Sequence, residues 1–180
     1  MLKKYYLLII FLIVIVFFAV LAFSGRQDSL PKSVNNFEEC VEAGNLILES
    51  YPEQCRAKDG KTFVREIGNE LEKADLISVS YPRPNQTIGS PFTIKGEARG
   101  FWFFEASFPF RLVDENSNVL VESFIQADGE WMTENFVSFK KEGIVFEKPT
   151  TDRGWLMLEK DNPSGLEQNA DELRIPVNFK

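Results

Sequence analysis

Histidine is absent from all 180 residues. That absence excludes Ser-His-Asp and Cys-His nucleophilic catalysis, imidazole metal ligation and a histidine pH switch, because no other side chain has an unperturbed pKa near neutrality. Cysteine is scarce: two residues cannot build a four-thiolate zinc site. Positive charge is in the minority, with 20 Lys and Arg against 27 Asp and Glu and a formal charge of −7. Phosphate backbones are bound by clustered cations, so no nucleic-acid partner is expected. No catalytic residue, metal-ligand set or cofactor is indicated. Composition leaves open a binding, structural or carboxylate-based role.

What the chain does have is apolar residues, unevenly placed. Tyr5 to Phe23 are nineteen consecutive apolar positions behind Lys3 and Lys4. At about 1.5 Å per helical residue they span roughly 28 Å, the thickness of a bilayer's hydrocarbon core. The run predicts a transmembrane anchor over residues 1–24. A cleaved signal peptide is the alternative, with Val20-Leu21-Ala22 or Ala22-Phe23-Ser24 as cleavage sites, but its apolar region is usually only about 7–15 residues. Lys3 and Lys4 place the amino terminus in the cytoplasm, making the chain a single-pass cell-membrane protein whose remainder is extracytoplasmic. That remainder keeps 18 basic residues against the same 27 acidic ones, a formal charge of −9.

Residues 25–36 are polar and aperiodic, a linker off the membrane. Residues 37–66 hold both cysteines, Cys40 and Cys55. A short helix is expected within Phe37 to Leu48, with Asn36 as N-cap, Glu38 and Glu39 in its first turn and Gly44-Asn45 at its end. Asp59-Gly60 predicts a hairpin turn into a strand at Lys61 to Arg65. About thirty residues bury too little apolar surface to fold unaided, so a covalent staple is needed. A Cys40–Cys55 disulfide supplies it in an oxidising compartment, closing a loop of about 16 residues for about 3 kcal/mol. Free thiols or a redox pair are the alternatives, the latter more usually at C-x-x-C spacing. The order Phe-x-x-Cys, Ala-Gly, Ser-Tyr-Pro, Cys and Asp-Gly-x-Thr-Phe resembles a small two-cysteine module of exported bacterial proteins, for which no activity is implied.

After a second linker, residues 67–75, the apolar period becomes two. Ile77, Val79 and Tyr81 alternate, as do Phe92, Ile94, Gly96 and Ala98, then Phe104, Ala106, Phe108, Phe110 and Leu112, and finally Leu173, Ile175, Val177 and Phe179. Each set is the pattern of a half-buried strand. Val119 to Ile125, Trp131 to Phe139, Ile144 to Phe146 and Trp155 to Leu158 are further β-prone segments. Seven or eight strands over residues 76–180, divided by turn clusters such as Asp161-Asn162-Pro163-Ser164-Gly165, predict an all-β, immunoglobulin-like β-sandwich. The fold class is thus a sandwich preceded by an anchor helix and a small disulfide-stapled α+β module.

Ile77-Ser-Val-Ser-Tyr-Pro82, Ile88-Gly-Ser-Pro91, Ile94-Lys-Gly96-Glu-Ala98, Trp131-Met132-Thr133, Lys160 to Gly165 and Ile175-Pro-Val-Asn-Phe179 resemble the immunoglobulin-like domain of bacterial spore germination proteins, the domain that accompanies GerM. The resemblance implies an exported envelope protein with no catalytic residues. About fifty residues between anchor and sandwich leave no room for GerM itself.

Candidate partner-binding residues centre on Phe101-Trp102-Phe103-Phe104-Glu105. Strand alternation would put Trp102 and Phe104 in the core and turn Phe101, Phe103, Glu105 and Arg111 outward; Trp131 is a further exposed-aromatic candidate. Exposed aromatics beside charges suit a protein or sugar partner. The expectation is a non-catalytic interaction module of the bacterial cell envelope, reaching the membrane through one N-terminal helix, with an envelope protein or cell-wall glycan as partner. Asp114, Glu115, Asn116, Asn118 and Asp161 with Asn162 have oxygen ligands suited to calcium, but Asx-rich turns account for both clusters without a metal.

Overall fold

The computed structural model describes residues 33–180 together with the helical positions Ile15 and Phe17. The anchor read over residues 1–24 therefore lies, those two positions apart, outside the described residues, as does most of the 25–36 linker. Among the described residues no helix is long and apolar enough to cross a membrane.

The cysteine module opens with α1 (Phe37–Glu42), which starts where its capping chemistry says. Asn36 Oδ1 accepts from the Glu39 amide at 2.8 Å, and the Glu39 carboxylate accepts in turn from the Asn35 amide at 2.9 Å. Gly44, at φ 71°, ends the turn. Leu46 to Leu48 are not helical but form β1 (Leu46–Leu48), which pairs with β2 (Gln54–Arg56), itself paired with β3 (Thr62–Val64). The β2–β3 hairpin turns at Asp59-Gly60, where Asp59 Oδ1 accepts from the Lys61 amide at 3.1 Å. Cys40 and Cys55 are bonded, Cα atoms 6.0 Å apart. Among the described residues Phe37 and Ala57 complete the buried cluster around them, with Val34, Val41 and Phe63 partly buried against it, a core small enough that the unit depends on its staple.

Eight strands follow: β4 (Ile77–Tyr81), β5 (Thr87–Ile88), β6 (Phe92–Arg99), β7 (Ser107–Asp114), β8 (Val119–Gln126), β9 (Phe136–Ile144), β10 (Arg153–Glu159) and β11 (Glu172–Phe179). They form a five-stranded sheet, β5-β11-β10-β7-β8, over a three-stranded one, β4-β6-β9. The period-2 sets point inward: Ile94, Ala98, Phe108, Phe110, Leu112, Leu173 and Ile175 are fully buried. Large rings join the sheets, with Phe108 on β7 edge-to-face with Phe139 on β9 at 5.1 Å. The Trp131–Phe139 segment does not form one strand. Pairing begins only at Phe136, opposite Arg99, and runs on through Ile144, leaving Trp131 in a loop.

Residues 67–75, expected to be a linker, carry α2 (Glu70–Lys73) and run along the unpaired part of β11. Gly68 is required there: a Cβ would sit 1.8 Å from the Arg174 carbonyl oxygen, and φ is +72°. Asn69 then behaves as a partner strand in miniature. Its amide donates to Arg174 O at 3.2 Å, its Nδ2 to Glu172 O at 2.9 Å, and its Oδ1 accepts from the Arg174 amide at 2.7 Å. Beyond it the Asn85 amide donates to Pro176 O at 2.7 Å, and Pro176 has no amide of its own to satisfy. This edge is sealed.

A polar latch joins module to sandwich. The Glu70 carboxylate, 8% exposed, pairs with Arg83 Nη1 at 2.5 Å and accepts from the Tyr51 hydroxyl. Arg83 also donates to Tyr51 Oη at 2.9 Å and to Val79 O at 2.8 Å. Burial and the Glu70 carboxylate push the Tyr51 phenol up to about 12. Arg153 to Glu38, at 2.8 Å, adds a second, more exposed bridge.

Candidate functional site

Three connections meet at one end of the sandwich, β6–β7 (100–106), β8–β9 (127–135) and β10–β11 (160–171), because their flanking strands share that end in register. Gly100 lets two of them touch. Its Cβ would lie 2.0 Å from Thr133 O and 2.3 Å from Trp131 O, and its amide donates to Asn135 O at 3.1 Å. The third is tied in by the Asp161 amide, which donates to Trp102 O at 3.0 Å.

The aromatic run does not behave as a strand. Gly100 to Trp102 is a single 3₁₀ turn, closed by the Phe103 amide on Gly100 O at 3.1 Å. Phe104 and Ser107 then exchange both backbone hydrogen bonds at 3.0 Å around Glu105 (φ 49°) and Ala106 (φ 61°), a tight hairpin turn of type I′. Neither central residue is Gly or Asn, so each costs about 1–2 kcal/mol. Phe101, on the turn, and Phe104, on the hairpin that follows the extended Phe103, both face outward. They are 50% and 42% exposed, while Trp102 and Phe103 are buried. The alternation expected from sequence is corrected here: Phe103 faces the core, against Phe108 at 5.1 Å, and Phe104 replaces it on the surface.

The other candidates divide. Glu105 is exposed on the turn. Trp131 is half-buried, packed on the core, with its neighbour Met132 75% exposed. Arg111 is not with Glu105. It lies mid-sheet on β7, where its Nε donates to Glu159 Oε1 at 2.5 Å in an open groove of about 700 Å³ that Lys160 and Asp161 also line. Sequence reasoning missed the neighbours that complete the tip. Lys160 Nζ stands 5.9 Å over the Phe101 ring, and Leu166 is exposed on the third loop. Burial pushes the Asp161 carboxyl above the usual carboxylate range, and the Glu105 charge adds to it. Asp114, by contrast, is held below that range chiefly by the Asn118 side chain, at 2.9 Å, and by the Asn118 and Asn116 amides. Its oxygens are engaged within its own turn.

A protein-family model, described as the immunoglobulin-like domain of bacterial spore germination (Gmad2), matches residues 76–167. The chain belongs to the Gmad2 family. No curated protein and no solved structure matches it. The Gmad2 match begins at the first strand of the sandwich and stops short of β11, which pairs with β10 over seven residues and completes the sheet. All three loops of the tip fall largely inside the Gmad2 span.

The Asp161 shift has a measurable consequence. A folded-state pKa raised above the unfolded one means the ionised carboxylate is penalised at neutral pH, and the penalty vanishes where both states are protonated. Asp161→Asn is expected to raise the melting temperature at pH 7 and to leave it unchanged near pH 3, checked by calorimetry at both values.

Proposed function

We propose that this Gmad2 protein is a membrane-anchored, extracytoplasmic, non-catalytic interaction module of the bacterial cell envelope, and that the loop end is its binding surface. The observation that carries the reading is the pair of exposed rings, Phe101 and Phe104, on a turn clamped from below by buried Trp102 and Phe103. Rigid exposed aromatics bind at low entropic cost. The nineteen-residue apolar run behind Lys3 and Lys4 supports the anchor, and the buried disulfide suits an oxidising exterior. The module contacts the sandwich through Glu38, on Arg153 where β10 begins, and Glu66, on Asn85 between β4 and β5, away from the Phe101–Phe104 tip. The three loops hold seven acidic side chains and one lysine, which favours an envelope protein presenting cationic and apolar groups.

Peptidoglycan or a surface glycan is the second reading, favoured by Glu105 and Asp161 beside the two rings. Full-length protein carrying Phe101→Ser and Phe104→Ser is expected to keep its melting temperature within about 2 °C, since both rings are exposed. It is expected to lose crosslinking to envelope proteins while wild type retains it. Binding to purified cell walls that disappears in the same variant would instead select the glycan. Undiminished binding of both kinds would remove the tip from consideration.

A further inference from the structure

The five-stranded sheet treats its two edges differently. The β11 side is sealed by Asn69 and Asn85, whereas β8 at the other side has no partner strand until Ala127, which bridges to Phe139 of β9. The Ala127 amide donates to Ala106 O at 2.8 Å, and Phe104 and Ser107 bond each other on the side away from β8. Antiparallel alternation from those bonds makes Ser107 and Gln126, Pro109 and Phe124, and Arg111 and Glu122 non-hydrogen-bonded pairs. The backbone N–H and C=O groups of Glu122, Phe124 and Gln126 therefore point away from β7. Past Gln126 the chain crosses to the other sheet, with Ala127 bridging to Phe139 of β9 and the Asp128 amide donating to Ser138 O at 2.8 Å, so the open stretch of this edge is Glu122 to Phe124.

The protections on this strand are slight. Val119 to Gln126 contains no proline and no lysine, its bulge at Leu120 lies before the Glu122–Phe124 stretch, and Val119 and Phe124 are 52% and 58% exposed. Beside it lies an open groove of about 560 Å³, lined by Ser123, Phe124 and Gln126 from β8 and by Lys140, Lys141 and Glu142 from β9. Lys95 stands directly opposite Lys140 in the other sheet. Glu142 pairs with Lys140, while among the described residues no carboxylate pairs with Lys141 or Lys95, which leaves two cations facing this groove.

We propose that the free edge of β8 is a strand-addition site that takes an extended, acidic segment of a partner protein as a sixth strand. Main-chain bonds to Glu122 and Phe124 supply the pairing, and side chains supply the choice. Phe124 faces away from the core, paired with Pro109, and meets apolar residues of the added strand. The alternate positions turn toward Lys140 and Lys141, which selects carboxylates. This surface lies along the sheet edge, separate from the loop tip, and does not depend on the tip binding anything.

The test uses full-length protein in detergent micelles and three labelled octapeptides: alternating Val and Glu, alternating Val and Lys, and the Val-Glu peptide N-methylated at alternate residues. The Val-Glu peptide is expected to bind and to slow hydrogen exchange at Glu122 and Phe124, with the other two at least about tenfold weaker. Phe124→Pro removes only an outward-facing amide and the exposed ring, and Lys141→Glu only a charge, so both variants keep the fold while each weakens binding about tenfold. Equal binding of the N-methylated peptide, protection elsewhere, or insensitivity to both variants would overturn the proposal. A concentration-dependent dimer through β8 without peptide would overturn it in favour of a second copy of the chain.

Discussion

Phe108→Ala is expected to lower the melting temperature by about 10 °C, through a loss of about 4 kcal/mol. Phe108 is fully buried and packs edge-to-face on Phe103 at 5.1 Å and on Phe139 at 5.1 Å. Those rings belong to the loop tip and to the opposite sheet, so neither sheet can close the cavity alone, and truncation loses both transfer energy and packing. Phe124→Ala is the matched control, because the ring it deletes is exposed and surface changes stay within about 0.5 kcal/mol. Thermal unfolding of the two variants separates them; equal shifts would mean that Phe108 is not the bridge between sheets. Since Phe103 rests on Phe108, the same substitution is expected to release Phe101 and Phe104 and to weaken binding at the tip.

Arg83→Ala is expected to undo the latch and free the cysteine module while leaving the sandwich folded. It strands Glu70, whose carboxylate is 8% exposed, without its cation. Removing one partner of a fully buried pair costs about 3–5 kcal/mol, but Arg83 is itself half exposed to solvent, which brings the expected loss to about 2 kcal/mol. Faster hydrogen exchange at the Arg174 amide, held by Asn69, would report the release, with exchange at β7 unchanged. Adding Glu70→Gln should recover part of the loss by removing the stranded charge. The latch is also expected to fail in alkali. Because the Tyr51 phenol is raised from 10.0 to about 12 in the folded protein, its contribution is complete below pH 10 and is lost as the pH rises to about 12. Absorbance at 295 nm should show one late-titrating phenol that is missing in Tyr51→Phe.

The fold was largely legible because burial with period two leaves a plain trace. Phe92, Ile94 and Ala98, or Leu173, Ile175 and Val177, name their own faces, and Asn36 with Glu39 names the start of α1. The cysteine pair was legible from the poverty of the segment around it. The aromatic tip was not, since alternation was carried through Phe101 to Phe104 where Gly100 begins a turn of three residues. A tight approach to Thr133 and Trp131 dictates that turn, and no local pattern announces a contact thirty residues away. Asn69 and Arg83 were illegible for the same reason. One replaces a missing strand more than a hundred residues away and the other neutralises a carboxylate whose burial no local pattern announces.

The seal on β11 has a practical consequence for anyone who cuts the protein. Residue 76, where the family match begins, looks like a natural starting point for an isolated domain. A chain begun there loses Gly68 and Asn69 and uncovers the carbonyls of Glu172 and Arg174 together with the Arg174 amide. The result would be a sandwich with raw edges on both flanks of one sheet, the geometry from which aggregates and swapped dimers grow. Fragments starting at residue 33 should stay in solution at concentrations where fragments starting at residue 76 precipitate.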